Sequence, residues 1–174
     1  GLVAHAEQAL VAGAGGLGSN CAHALVRSGF KQFVICDHDL VSSLNLNRQF
    51  YFSRQIGMPK VAALAENLRA IHDDLRISAQ RIMLTRKTIP EVFAGCEIVV
   101  ECFDDAHMKK VFLESLSGTK KFLVVASGVC GVGESDAVQT RYLRDDLAIV
   151  GDLTADCADT APLAPRVMVA AAKL

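Results

Sequence analysis

The sequence carries no strong excess of either charge. Its formal net charge is −1 at pH 7 over 174 residues, which excludes a nonspecific grip on DNA or RNA by bulk charge. No apolar run approaches the roughly 20 residues that span a bilayer, and nothing in the opening residues reads as a signal peptide. CxxC pairs are also missing. The six cysteines are spaced between 6 and 60 residues apart, which fits neither a zinc knuckle nor a small disulfide framework. Free thiols in a reducing cytoplasm are the expectation. With 51% hydrophobic and 21% charged residues, the chain can bury a substantial core, so disorder is excluded. The length suits one domain, 1–174. The start, Gly1-Leu2-Val3, lacks Met, and Ala170–Leu174 ends inside a helical pattern, so both termini are expected to be trimmed.

Short apolar runs alternate with longer helical stretches. Strands are expected at 9–12, 33–36, 75–81, 97–102 and 122–126. Helices are expected at 18–28, from Pro59 to about Ile71, at 88–93 and at 106–116, with another after Pro165. Continuous apolar strands separated by helices predict an α/β fold: a doubly wound, mainly parallel Rossmann-like sheet covered on both faces. Residues 137–143 and 147–150 predict an added antiparallel edge near the C-terminus. Residues 152–165, small and acidic with two prolines, predict a mobile loop.

Val11-Ala12-Gly13-Ala14-Gly15-Gly16-Leu17-Gly18 places G-x-G-x-x-G between a strand and a helix. Gly13 allows the tight turn, Gly15 lets phosphates approach the backbone, and Gly18 permits close helix–strand packing. The helix N-terminus beyond them offers unpaired N–H groups to an anion. Asp37 follows Gly18 by 19 residues at the end of the second strand, where it can accept hydrogen bonds from a ribose. This much suits NAD as well as ATP. The next segment, Asp37-His38-Asp39 through Asn45-Leu46-Asn47-Arg48-Gln49, is dense in polar groups, and Lys60 opens the following helix. Two cations converging on one anion suit a triphosphate attacked at its α-phosphorus, where charge builds on the oxygens. Their plain alternative is solvated surface charge.

A second acidic site, Glu101-Cys102-Phe103-Asp104-Asp105, follows the fourth strand. Mg²⁺ takes one or two carboxylates plus phosphate oxygens and water. Asp104 is therefore the expected metal ligand, and Asp105 the expected cap of the next helix. Cys36, Cys96 and Cys102, in or beside apolar strands, read as core fillers; the five histidines show no paired metal spacing.

The ordered set G-A-G-G-L-G-S, D-x-D-x-V-x-x-x-N-L-x-R-Q, G-x-P-K and C-x-D resembles the ThiF/MoeB/HesA superfamily, the adenylating relatives of ubiquitin-activating enzymes. N-L-N-R-Q, Q-I-G-M-P-K, F-D-D-A and A-P-R-V most resemble its short ThiF-type sulfur carrier protein adenylyltransferases of thiamine biosynthesis. The resemblance implies MgATP as cofactor and a ubiquitin-like, ThiS-like sulfur carrier as partner. The carrier's C-terminal Gly-Gly carboxylate would attack the α-phosphorus, and a sulfur donor would then attack the acyl-adenylate. It implies that Gly13, Gly15, Gly16 and Gly18 cradle the nucleotide, and that Asp37, with Asp39 beside it, holds the ribose. Asn45, Arg48 and Lys60 would contact phosphates with Gln49 nearby, and Asp104 would act through Mg²⁺. It also implies a homodimer.

Two departures stand out. The CxxC pairs of larger members are absent, so no zinc is expected. Family homodimers insert an arginine from the region before the glycine turn into the partner's ATP site. Between Gly1 and Leu10 only His5, Glu7 and Gln8 are polar, so that arginine is not in this stretch. Cys157, eight residues before Pro165, matches the spacing of a loop cysteine that bonds to the carrier in some ThiF proteins. It is a candidate thiol nucleophile or an incidental loop residue, and neighbouring Asp152, Asp156 and Asp159 disfavour its thiolate.

The expectation is thus a cytoplasmic adenylyltransferase with no nucleic-acid or membrane partner. The alternatives are adenylation of a molybdopterin-type carrier or of tRNA, an NAD-dependent oxidoreductase, and a non-catalytic docking module.

Overall fold

β-Branched and small apolar residues in short runs favour pleated strands, while apolar residues recurring every three to four positions favour helices. In the computed structural model, which describes residues 8–131, 133–154 and 163–174, the strands are β1 (Gln8–Ala12), β2 (Gln32–Cys36), β3 (Arg76–Gln80), β4 (Ile98–Glu101), β5 (Phe122–Ala126), β6 (Gln139–Arg144) and β7 (Leu147–Gly151). The helices are α1 (Gly16–Arg27), α2 (Lys60–Arg69), α3 (Thr88–Val92), α4 (Ala106–Leu116) and α5 (Ala164–Lys173). Single 3-10 turns at Ser43–Asn45 and Ser53–Gln55 occupy the long β2–α2 connection. Pro59, expected inside the helix, is instead the residue before it, and Lys60 is the first helical residue. Asp105 caps α4 by accepting a hydrogen bond from the Met108 N–H at 2.6 Å. Among the described residues, no helix is long and apolar enough to cross a membrane.

All seven strands form one sheet in the order β3-β2-β1-β4-β5-β7-β6. The order reverses between β1 and β4, which opens a crevice at their carboxyl ends. Ala12 pairs with Cys36 on one side and with Glu101 on the other, so three strands end level at that crevice. The expected edge is present in a refined form. β7 runs parallel to β5, and only β6 is antiparallel. Composition explains the exchange of places. Leu-Ala-Ile-Val-Gly of β7 suits an interior strand, whereas every residue of Gln-Thr-Arg-Tyr-Leu-Arg in β6 is exposed.

Alternation along the strands splits the core in two. Ala9, Val11, Phe33 and Ile35 pack with α1, α2 and α5 on one face. Leu10, Ala12, Val34 and Cys36 pack with α3 and α4 on the other, around Phe93 and Phe112. Fully burying each such large side chain contributes about 1.5–3 kcal/mol.

Glu101 is the most deeply buried charged residue among those described. Glu101, at the end of β4, is fully buried, and its two oxygens accept from Lys109 Nζ at 2.9 and 3.0 Å. The same carboxylate accepts the Phe103 N–H, and Lys109 also donates to the Ala126 carbonyl at 2.9 Å. Burial pushes the Glu101 carboxyl up, and Lys109 opposes that rise. Glu101 is therefore a tie between the ends of β4, β5 and α4, and not part of the exposed acidic site that its sequence context suggests. Lys109→Met strands the carboxyl in the core and is expected to cost about 3–5 kcal/mol in urea unfolding near neutral pH. A raised folded-state carboxyl favours the protonated native form. The loss in this variant should therefore shrink on acidification and grow as pH rises through the carboxylate range.

Candidate functional site

The turn between β1 and α1 is built by close approach. Gly13 has φ +99°, and a Cβ there would lie 3.0 Å from the Cys102 carbonyl oxygen. A Cβ on Gly18 would overlap the Gly13 carbonyl oxygen at 1.7 Å, so the helix sits on the strand only because neither residue has a side chain. Gly15 differs. A Cβ there would meet only Gln49 Nε2 at 4.0 Å, leaving open space at the start of α1. No side chain caps this helix at Gly15, so its first N–H groups and the positive end of its dipole are available to an anion.

Asp37 fixes the turn from the end of β2. Its Oδ2 accepts from the Ala14 N–H at 2.7 Å and its Oδ1 from the Asp39 N–H at 2.8 Å. The buried Tyr51 hydroxyl donates to the Ala14 carbonyl at 2.6 Å. Asn20, buried on α1, donates from Nδ2 to the carbonyls of Gly16 at 2.7 Å and Arg48 at 2.8 Å. Ser19 Oγ accepts the Phe50 N–H at 3.0 Å. Three side chains thus bind the 45–51 segment to the glycine turn.

Arg48 lies directly over this turn, its Cγ 3.6 Å from where a Gly16 Cβ would sit. Its Nη1 donates to the Leu44 carbonyl at 3.1 Å and to Asn47 Oδ1 at 2.9 Å, and among the described residues it has no carboxylate partner. Lys60 is buried and its Nζ contacts Asp39 Oδ2 at 2.8 Å. This hydrogen bond holds the Asp39 carboxyl below its usual range. Asn45 accepts the Ser42 N–H at 2.9 Å, so its carbonyl oxygen serves the local turn. Gln49 is 8% exposed and its Oε1 has no hydrogen-bond partner among the described residues. An orphaned buried acceptor costs about 1–3 kcal/mol unless a ligand or water satisfies it, and it stands beside the open ground at Gly15.

Asp104 is exposed at the carboxyl end of β4, two residues beyond Cys102, whose N–H donates to the Ala12 carbonyl at 2.9 Å. A lone exposed carboxylate there fits the sparse protein ligation of a phosphate-bound Mg²⁺. Asp37, His38 and Asp39 also bring ligand atoms within 4.8 Å of one another, but backbone N–H groups and Lys60 already occupy the carboxylates. Cys21, Cys36, Cys96 and Cys102 are buried and unpaired. Burial pushes the Cys21 and Cys36 thiols up to about 12, so they fill the core and are not nucleophiles. Cys157 lies outside the described residues, as does His5.

Sequence reading gave no task to Tyr51, Asn20 or Ser19. Ser19 and Asn20 directly follow Gly18 and Tyr51 follows the Arg48-Gln49 pair, but nothing local shows that they face each other across the turn.

The ThiF family model matches residues 3–149. A sulfur carrier protein ThiS adenylyltransferase from Bacillus subtilis is 34% identical over 107 residues, covering 60% of this chain and 32% of that protein. The tRNA threonylcarbamoyladenosine dehydratase of Escherichia coli is 28% identical over 144 residues, covering 79% of this chain and 54% of that protein. The crystal structure of the same enzyme's ATP complex superposes with a TM-score of 0.86 at 22% identity, over 99% of this chain and 85% of that one. At this identity the superposition speaks for the fold. The chain spans 24% to 54% of the length of the curated relatives it matches first. With the family model covering well over half of the chain, including the glycine turn and both cations, the chain belongs to the ThiF family.

Proposed function

We propose that this domain binds MgATP at the β1–α1 turn and adenylates the C-terminal carboxylate of a small ubiquitin-like sulfur carrier protein, ThiS-like, for thiamine biosynthesis. The observation that carries this reading is the open, uncapped start of α1 at Gly15 with Arg48 lying over Gly16 beside it. A dinucleotide needs the turn alone, whereas a triphosphate under attack also needs cations beside it. The roles then follow. Gly13, Gly15, Gly16 and Gly18 form the cradle, and Asp37 accepts from the ribose with the lone pairs that its two backbone bonds leave free. Asn45 and Gln49 supply polar contacts, the orphaned Gln49 oxygen among them. Magnesium, when bound, draws charge from the phosphate oxygens, and Asp104 is the residue to hold it.

The nucleophile needs no base, because a terminal carboxylate is ionised at neutral pH. Its oxygen bonds to the α-phosphorus as the bond to the bridging oxygen breaks, and pyrophosphate leaves with that electron pair. Arg48 and Lys60 offset the charge that develops. Lys60 is held ready by Asp39, and Arg48 by the Leu44 carbonyl. Catalysis on this scheme is positioning and charge stabilisation. A sulfur donor, or the thiol of Cys157, then attacks the acyl-adenylate and releases AMP. A homodimer is part of this reading through the family resemblance alone, and the arginine that the resemblance places before the glycine turn is missing from residues 1–10.

A second reading, modification of tRNA, draws on the extent of the dehydratase alignment. The net charge of −1 argues against it, because tRNA binding relies on phosphate neutralisation.

Arg48→Ala and Asp104→Ala should each reduce carrier-dependent ATP–pyrophosphate exchange by about 10²-fold or more; wild-type rates in either variant would sink the assigned roles. Calorimetric titration should give ATP binding without NAD binding, and tight NAD binding alone would favour the oxidoreductase. Mass spectrometry after incubation with ATP and a ThiS-like carrier should reveal the carrier adenylate, or a carrier adduct at Cys157 if that thiol takes part.

A further inference from the structure

The Ala14–Gly15 peptide is held from one side only. The buried Tyr51 hydroxyl donates to its carbonyl oxygen at 2.6 Å, while the preceding peptide is fixed through the Ala14 N–H on Asp37. Among the described residues no peptide bond is cis, and in a trans unit the C=O and the N–H point in opposite directions. Drawing the Ala14 oxygen into the core therefore turns the Gly15 N–H outward. That N–H has no acceptor among the described residues, and it belongs to the residue where a Cβ would find open space.

We infer that Tyr51 is a positioning residue, whose hydroxyl fixes the Ala14–Gly15 peptide so that the Gly15 N–H meets a phosphate oxygen of the bound nucleotide. This rests on the nucleotide reading of the site given above. Three further observations support it. Tyr51 is 5% exposed, so water does not compete for its hydroxyl. Burial, and then the Asp37 and Asp39 carboxylates, push the phenol well above its ordinary range, so it remains a donor throughout the working pH. The Lys60 carbonyl lies 3.4 Å from the same hydroxyl, so the ring also stands between the glycine turn and the start of α2. Losing the hydroxyl frees the peptide to rotate without disturbing the ring's packing against the core.

A phosphate contact of this kind is made in the ground state and the transition state alike, and its loss weakens binding more than turnover. Tyr51→Phe should therefore raise the Kd and KM for ATP about five- to tenfold, with kcat for pyrophosphate exchange at saturating ATP within about twofold of wild type. A purely structural hydroxyl would lower Tm and leave Kd unchanged; that result overturns the assignment. The unsubstituted protein supplies an independent readout, because its ¹⁵N-labelled Gly15 amide should shift downfield on addition of ATP. An unmoved Gly15 resonance in a protein that binds ATP overturns the inference even if the variant does not fold. Wild-type protein that binds no ATP removes the nucleotide reading itself, and the role of Tyr51 with it. Normal binding in Tyr51→Phe beside lost exchange in Arg48→Ala removes the role of Tyr51 alone.

Discussion

The 2.7 Å hydrogen bond from the Ala14 N–H to Asp37 is the contact on which the site depends. It joins the turn after β1 to the end of β2, and the other oxygen of the same carboxylate starts the polar segment by holding the Asp39 N–H. Asp39 in turn holds Lys60. One acidic side chain thereby sets the glycine turn, the entry of the 38–59 connection and, at one remove, the cation at the head of α2. A carboxylate accepting backbone N–H groups is a strong and directional fixture. The remaining ties, Ser19, Asn20 and Tyr51, bring the rest of the connection against a turn that Asp37 has already shaped.

This arrangement explains why so polar a segment keeps one conformation. The run from Ser42 to Gln55 contains only two single-turn 3-10 pieces and little regular structure to satisfy its backbone. Its stability comes from side chains that reach into it. Asn20 takes the Arg48 carbonyl, Ser19 takes the Phe50 N–H, and Asn67 on α2 donates to the Phe50 carbonyl at 2.8 Å. Gln55, fully buried, exchanges hydrogen bonds with Asn67. Buried polar groups so well satisfied rigidify a loop as apolar packing would, and they hold the main chain of Arg48 to the turn it overlies.

Much of the fold was legible in the sequence, because apolar runs and glycine punctuation are local signals. The strand–turn–helix around Gly13–Gly18, the parallel sheet and the Asp105 cap all followed from patterns within a few residues. The place of β7 did not, since pairing order is a global property; the clue was that Leu147–Gly151 is apolar throughout while Gln139–Arg144 is not. For the site, the glycines, Asp37, Arg48 and Lys60 stood out by residue type and spacing. Glu101 misled, because a carboxylate at a strand end reads as ligand-facing until Lys109, in the first turn of α4, is seen to reach back to it. Tyr51 and Asn20 were invisible for the opposite reason. An aromatic residue and an amide in amphipathic context look like ordinary packing, and only the tertiary structure aims their polar atoms at the turn.

The position of β1 inside the sheet, between β2 and β4, bears on how the protein comes into being. Its partner on one side, β4, arrives late in the chain: Ala9 pairs with Ile98, 89 residues further on. Closing so long a loop costs entropy that is recovered only once the strands zip together, and parallel pairings of this separation are slow to form. The glycine turn leans on the Cys102 carbonyl, so its shape is completed only when that distant segment docks. During synthesis the nascent chain therefore carries an unfinished cradle until the segment through Cys102 has been made and docked, and the ability to hold a ligand there is itself a marker that this docking has occurred.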